Sequence, residues 1–210
     1  EAGIQMLPHL SRAVDMLNLC APGSEAFYQS VEHVRKYLKE SVYDKENSQE
    51  SVCAYSVGHT HIDVAWLWRY AHTQMKVQRS FSTALKLLEE YPEYIFMSSQ
   101  PQLYEYLEKN LPDQFAKVEE YVRQGRWEPE GGMWVEADCN LPSGESLIRQ
   151  FLMGKQYFQS KFGIESRILW LPDVFGYSAA LPQICKKCGI DYFMTTKISW
   201  NQQDKIPYDT

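Results

Sequence analysis

The sequence predicts an α/β fold in which helices cover a parallel sheet. After residue 51, short apolar segments alternate with longer amphipathic ones, and Gly, Pro or Ser stands at nearly every junction. Strand–helix–strand repeats with short connections are typical of parallel sheets, because each crossover lays its helix on a face of the sheet. Ligands of such folds bind at the carboxyl ends of the strands, so polar residues at those ends are the candidates for a site.

Residues 1–50 are predicted to form a separate helical segment. Apolar residues recur at three- to four-residue spacing from Leu7 to Leu17, which is one face of a helix. Because proline is tolerated only near a helix start, the first helix is predicted to begin at about Pro8. Ser24 is predicted to cap a second helix, and the polar residues 42–51 are predicted to be a linker.

Residues 51–210 are predicted to be one α/β domain. Strands are expected at 52–58, 94–97, 132–138, 167–173 and 192–196. Helices are expected at 66–91, 101–110, 112–124, 143–162 and 178–188. Gly125, Gly163 and Gly189 follow three of these helices, as C-terminal capping glycines do.

Composition excludes several classes of protein. The 210 residues are 44% hydrophobic and 23% charged, which excludes a disordered chain, and the net charge of −6 argues against a nucleic-acid partner. No apolar run approaches the ~20 residues that cross a bilayer, so no membrane partner is expected. Five cysteines and no signal-peptide pattern favour a reducing compartment, and we predict a cytoplasmic protein. The chain starts at Glu1 and ends within a polar stretch, so we expect it to be part of a longer protein.

Two predicted strand ends carry candidate metal ligands. Alternate residues of an extended chain point to one side, so His59, His61 and Asp63 are expected to project together. Imidazole nitrogens and carboxylate oxygens are donors that suit zinc. Asp173 follows the fourth predicted strand. It could cap the next helix, but Ser178 is available for that role.

Other residues remain open on sequence alone. Glu136, Asp138 and Asn140 share one face of the third predicted strand, where they would either touch a substrate or support other site residues. Trp66 would either stack on a sugar ring or anchor a helix. For Cys185 and Cys188, core packing is favoured over a redox or zinc site.

Four motifs, in order, resemble the class II α-mannosidases, glycoside hydrolase family 38. They are residues 59–68 (HTHIDVAWLW), 134–138 (WVEAD), 170–178 (WLPDVFGYS) and 195–201 (TTKISWN). The resemblance is greatest to the cytosolic and bacterial branch, because residues 63–66 are DVAW where many Golgi and lysosomal members have DPGW.

This resemblance implies a retaining, zinc-dependent α-mannosidase that acts on terminal mannosyl residues of glycans or small mannosides. The implied fold is an irregular, seven-stranded β/α barrel, of which residues 51–210 would be the N-terminal part. His61, Asp63 and Asp173 would bind zinc, and Asp173 would also be the nucleophile. Trp66, beneath the mannose ring, and Lys197, near the nucleophile, would bind substrate. We also assign Asp138 to substrate binding, because it shares one face of the third predicted strand with Glu136 and Asn140.

The family's fourth zinc ligand and its general acid belong to later motifs that are absent from these residues. We therefore expect the isolated chain to be inactive. We also expect its truncated sheet to expose an edge that favours self-association.

Two alternative functions remain. A metal-dependent carbohydrate deacetylase would need a His-x-x-x-His pair, which is absent from the sequence. A non-catalytic sugar-binding domain would have no need of a nucleophile such as Asp173.

Overall fold

The structure, a computed structural model, describes residues 2–44 and 54–200. It separates into two compact units, Glu1–Tyr55 and Ser56–Thr210. Among the described residues, no helix combines the length and the apolar character that a membrane crossing needs.

The first unit is helical. Its elements are α1 (Ala2–Asp15), α2 (Glu25–Leu38) and a π-helical turn (Lys39–Tyr43). The predicted cap is confirmed, since Ser24 Oγ accepts the N–H of Phe27 at 3.1 Å. The predicted start of the first helix is wrong, because α1 continues through Pro8. Proline has a φ value that fits a helix. At Pro8 the helix therefore loses only one backbone hydrogen bond, to a carbonyl in its first turns.

The second unit contains the parallel strands. Its strands are β1 (Gly58–His59), β2 (Phe96–Ser98), β3 (Trp127–Pro129), β4 (Ile168–Leu171) and β5 (Tyr192–Thr195). Its helices are α3 (Tyr70–Glu90), α4 (Pro101–Asn110), α5 (Pro112–Arg123), α6 (Gly144–Phe162) and α7 (Leu181–Lys187). A short 3₁₀ turn, Lys197–Trp200, follows β5.

All strand pairs in the described residues are parallel. One sheet has the order β1-β2-β3 and the other pairs β4 with β5. This confirms the predicted α/β fold with parallel strands. The part of the chain described here holds five strands in two sheets, and a seven-stranded barrel is not seen in it.

The best-predicted helices have local end signals. Both α4 and α5 begin with a proline. Ser143 Oγ accepts the N–H of Ser146 at the start of α6, and Gly163 ends that helix with φ +70°. Gly125 follows α5 with φ +69°. These residues act on their own neighbours, so sequence alone located them.

Three predicted boundaries need correction. The third strand is β3 and not 132–138, because Gly131 and Gly132 have positive φ values of 136° and 75° that turn the chain away. The long helix α3 starts at Tyr70 and not Trp66, because Arg69 has extended backbone and caps it. The first strand shortens to β1. Residues 54–57 do not pair, and residues 45–53, which include part of the predicted linker, lie outside the described residues.

Two apolar clusters hold the second unit together. The aromatic core lies between the β1-β2-β3 sheet and its helices and comprises Ile62, Val77, Phe81, Ala84, Leu85, Leu88, Phe96, Leu103, Tyr104, Leu107, Phe115, Val118, Trp127 and Phe158. The second core comprises Met133, Cys139, Leu147, Phe151, Leu169, Leu171, Val174, Leu181, Ile184, Cys185 and Ile190. Cys185 therefore packs in a core, and the four described cysteines are free thiols.

Hydrogen bonds join the two sheets. Trp170 in β4 donates its indole N–H to His59 Nε2 in β1 at 3.2 Å. The backbone N–H of Trp170 approaches the carbonyl of Gly131 at 3.4 Å, and that of Ile168 approaches Glu130 Oε1 at 3.3 Å. These contacts place the carboxyl ends of β1 and β4 on the same side.

Candidate metal centre

Three potential metal ligands converge beyond the ends of β1 and β4. His61 Nε2 lies 3.1 Å from Asp63 Oδ1 and 3.6 Å from Asp173 Oδ2. One ligand atom from each residue lies within 4.8 Å of the other two. We call His61, Asp63 and Asp173 the His–Asp–Asp cluster.

The cluster fits a divalent metal such as zinc. It offers one imidazole nitrogen and two carboxylate oxygens, a donor set that zinc commonly takes. Both carboxylates face the same imidazole nitrogen. Two neighbouring negative charges repel each other unless a cation balances them, so the donor set is one that a metal ion would stabilise.

The other ring nitrogen of His61 faces Glu136. Nδ1 lies 2.7 Å from Glu136 Oε2, and the Glu136 side chain is only 4% exposed. Burial disfavours protonation of His61, but the contact and charge of Glu136, together with Asp63, raise its pKa to about 9. Because a metal binds the neutral imidazole, a proton and a cation would compete for this residue.

Lys197 holds the second oxygen of Asp173. Its Nζ lies 2.6 Å from Asp173 Oδ1. The ammonium group also lies 4.6 Å from the ring centroid of Phe175 and 3.9 Å from that of Trp200, as cation–π pairs do. The two oxygens of Asp173 thus have different partners: Oδ1 faces a lysine and Oδ2 faces the imidazole.

Two side chains donate hydrogen bonds to the backbone of the turn that carries His61 and Asp63. Thr73 Oγ1, in α3, donates to the carbonyl of Asp63 at 3.0 Å. Gln100 Nε2 donates to the carbonyl of Ile62 at 2.8 Å. Residue 62 points the other way, into the aromatic core. The turn is therefore anchored on both sides, which fixes the direction of the two ligand side chains.

Three residues singled out from the sequence lie apart from these contacts. His59 uses both ring nitrogens elsewhere, with Nδ1 3.0 Å from the carbonyl of Met97 and Nε2 accepting from Trp170. Asp138 is exposed, and its Oδ1 accepts the N–H of Asn140 at 2.8 Å. Trp66 is 65% exposed and packs edge-on against Trp68, with ring centroids 5.8 Å apart.

Sequence reasoning left Glu136 open and missed Ser99 and Gln100. Ser99 Oγ donates to Glu136 Oε1 at 2.6 Å, and Gln100 Oε1 accepts the N–H of Glu136 at 3.1 Å. Both residues directly follow β2. The search for polar residues at the carboxyl ends of predicted strands, which led to His61 and Asp173, would have identified Ser99 and Gln100 as well.

The fold and the cluster together define a parallel α/β protein with a candidate metal centre at its strand ends. The model of the glycosyl hydrolases family 38 N-terminal domain matches residues 51–210. The chain therefore belongs to glycosyl hydrolase family 38.

Several relatives are named α-mannosidases. An alpha-mannosidase of Saccharomyces cerevisiae is 44% identical over 181 residues, which are 85% of this chain and 17% of that protein. Alpha-mannosidase G of Dictyostelium discoideum is 42% identical, over 94% of this chain and 18% of that protein. Human alpha-mannosidase 2C1 is 41% identical, over 96% of this chain and 19% of that protein. The chain thus spans less than a fifth of the length of these curated relatives.

A solved structure shares the fold. The crystal structure of an alpha-mannosidase from Enterococcus faecalis V583 superimposes with a TM-score of 0.61 and 25% identity. The superposition covers 66% of this chain and 16% of that one. About two thirds of this chain therefore shares its fold with part of an alpha-mannosidase of known structure.

Proposed function

We propose that this chain is the N-terminal part of the catalytic domain of a retaining, zinc-dependent α-mannosidase. The main supporting observation is that His61, Asp63 and Asp173 converge, while Lys197 contacts the other carboxylate oxygen of Asp173. Membership of family 38 and the names of the relatives support the same activity. The substrate would be a terminal α-mannosyl residue of a glycan or a small mannoside.

Asp173 is the proposed nucleophile. A retaining glycosidase needs a carboxylate about 5–5.5 Å from a carboxylic acid, on opposite sides of the scissile bond. The Lys197 ammonium beside Oδ1 restrains the rotation of the Asp173 carboxylate. An ionised, oriented carboxylate can attack the anomeric carbon and later leave it.

His61, Asp63 and Asp173 would hold the zinc ion. When bound, zinc would supply a Lewis acid that gathers neighbouring hydroxyls of the mannosyl ring and orients it for attack. Trp66 has an exposed ring that would pack against the apolar face of the sugar. Asp138 is retained as a proposed hydrogen-bonding partner of the substrate.

The nucleophile can be tested by covalent trapping. A fluorinated mannosyl donor with an activated leaving group, incubated with the full-length protein, should leave a mannosyl adduct on the peptide that contains Asp173. Peptide mass spectrometry locates the adduct. Asp173→Asn should give no adduct, whereas Asp113→Asn, a change in the first turn of α5, should label as the wild type does.

The same assay separates the alternative functions. An adduct on another carboxylate would contradict the assignment of Asp173. The absence of any adduct, together with retained mannoside binding, would favour a sugar-binding domain. Acetate release from an N-acetylated sugar would favour a deacetylase.

The metal can be tested by diffraction. Anomalous differences collected on both sides of the zinc absorption edge should give one peak between His61, Asp63 and Asp173. A crystal grown with zinc that shows no peak there would contradict the metal assignment.

We further propose that residues 1–50 precede the catalytic domain as a helical segment and that the protein works in the cytoplasm. The four free thiols among the described cysteines support a reducing compartment. Fractionation of the source cells should recover the protein with cytosolic markers.

A further inference from the structure

Glu136 is a buried carboxylate with one hydrogen-bond donor and one close charged neighbour. Oε2 lies 2.7 Å from His61 Nδ1 and Oε1 accepts the Ser99 hydroxyl at 2.6 Å. Burial of a charged group is unfavourable unless it is paired, so the position of Glu136 requires these contacts. Neither His61 Nδ1 nor Glu136 Oε2 makes a hydrogen bond of good geometry within the described residues. The 2.7 Å separation of these two buried atoms makes each the nearest partner of opposite charge or polarity for the other.

The backbone of Glu136 is held by the residue that also holds the turn of His61. Gln100 Oε1 accepts the N–H of Glu136 at 3.1 Å, and Gln100 Nε2 donates to the carbonyl of Ile62 at 2.8 Å. Gln100 is itself 3% exposed and has a positive φ of 63°. One amide group thus joins the loop after β3 to the turn after β1, and sets the distance between Glu136 and His61.

This contact assigns the two nitrogens of His61 to different tasks. With Nδ1 against Glu136, Nε2 is the nitrogen left to face Asp63 and Asp173. A carboxylate at the far nitrogen fixes the orientation of a metal-binding imidazole and increases its donor strength. Such a partner changes metal affinity without touching the metal.

We propose that Glu136 is a positioning residue, which acts through His61 to direct Nε2 at the metal and to strengthen metal binding. The proposal rests on the metal site of the proposed function and extends it to Glu136, a residue to which neither the resemblance nor the ligand cluster gives a role. Ser99 and Gln100 support the same task by holding the carboxylate and the backbone of Glu136.

The test compares two matched substitutions in the same loop. Glu136→Gln keeps an acceptor opposite Nδ1 but removes the charge. Glu130→Gln removes a charge whose carboxylate bonds the backbone N–H groups of Gly131 and Ile168 and has no contact with His61 among the described residues. Zinc dissociation constants are measured on the full-length protein by competition with a chromogenic chelator, after circular dichroism has shown that each variant is folded.

We expect Glu136→Gln to weaken zinc binding by about 10- to 100-fold, the range typical of such supporting partners. Glu130→Gln should stay within about twofold of wild type, since its carboxylate is not part of the ligand set. Equal zinc affinity in Glu136→Gln and wild type would overturn the positioning role and leave the metal site standing. A wild-type full-length protein that binds no zinc would overturn the metal site and the positioning role together.

A spectroscopic measurement distinguishes positioning from a general structural role. Long-range ¹H–¹⁵N correlation spectra should show that zinc shifts the Nε2 resonance of His61 while Nδ1 remains protonated. Zinc on Nδ1 would overturn the proposal. If Glu136→Gln does not fold, Ser99→Ala replaces it, with a smaller expected loss of zinc affinity of about threefold. Unchanged affinity in Ser99→Ala would then overturn the proposal.

Discussion

The aromatic core and the His–Asp–Asp cluster meet at residues 61–63, but they differ in burial and in charge. In the turn after β1, Ile62 points into the core, while His61 and Asp63 point into the cluster. In the core, Phe81 and Trp127 are almost fully buried and their rings meet edge-on at 5.0 Å. Many redundant contacts secure such a core.

The cluster has few contacts and a surplus of negative charge. One imidazole and one lysine face the carboxylates of Asp63, Glu136 and Asp173. The comparison indicates that the core supplies stability to the fold and that the cluster keeps a charge imbalance which a cation can relieve. Substitutions in the two regions should therefore differ in what they change.

The largest expected effect is on stability, in the core. Phe81 is fully buried and contacts Phe96, Tyr104 and Trp127. Phe81→Ala should lower the free energy of unfolding by about 3–5 kcal/mol. Met75→Ala, on the same helix but 65% exposed, should change it by less than about 0.5 kcal/mol. Urea unfolding measures both, and similar losses in the two variants would contradict the described core.

The second-largest expected effect is on zinc affinity, from a substitution in the His–Asp–Asp cluster. Asp63→Asn should weaken zinc binding by more than the roughly 10–100-fold typical of supporting residues, because it removes a proposed ligand. It should also abolish the rise in melting temperature that zinc gives the wild type. Asp113→Asn should alter neither. A chelator titration and a thermal melt with and without zinc provide the measurements, and wild-type affinity in Asp63→Asn would exclude this residue as a ligand.

A third substitution tests how closely α6 packs against the loop that follows β3. Gly154 lies in α6 against the backbone of residues 132–134, and an added Cβ would come 2.6 Å from the carbonyl carbon of Met133. Gly154→Ala should therefore destabilise the fold by about 1–3 kcal/mol, although alanine normally favours a helix. Gly144→Ala, in the same helix, meets only Ile184 Cδ1 at 3.9 Å and should be neutral or stabilising by up to about 1 kcal/mol. Unfolding midpoints that rank the two variants in the reverse order would contradict this close approach.

The smallest effect is expected at an exposed ion pair. Arg167 Nε lies 2.7 Å from Asp191 Oδ2, and its hydrogen bond and charge lower the pKa of Asp191 below the usual 3.8. A lowered folded-state pKa stabilises the fold above the unfolded value and ceases to do so as pH falls through the folded one. Asp191→Asn should thus be slightly less stable than wild type at pH 7, and the difference should shrink as the pH falls below 3.8 and through the lowered folded-state pKa. Thermal melts across this range measure the gap, and a gap that widens in acid would contradict the pairing.

The accuracy of sequence-based prediction depended on how local each signal was. The helices α4, α5 and α6 were predicted well because Pro101, Pro112, Ser143 and Gly163 act on their own backbone neighbours. The third strand was predicted wrongly at 132–138. A strand exists only where a partner pairs with it, and β2 pairs with residues 127–129.

For the candidate site, motif resemblance singled out His61, Asp63 and Asp173, and the structure brings these three together. Alternation along the chain placed His59 with them, yet His59 lies in β1 and bonds the carbonyl of Met97. Alternation also grouped Glu136 with Asp138. Only Glu136 of the two contacts His61, because the loop after β3 turns at Gly131 and Gly132.

The sequence by itself determined the parallel α/β class, the ends of α4, α5 and α6 and the chemical types of the candidate ligands, since these depend on residues close together in the chain. Only the tertiary structure decided which nitrogen of His61 faces the carboxylates of Asp63 and Asp173, and that Glu136 and Lys197 occupy the remaining atoms. These choices depend on distances between residues from different strands and loops, and such distances arise only when apolar burial has brought the segments together.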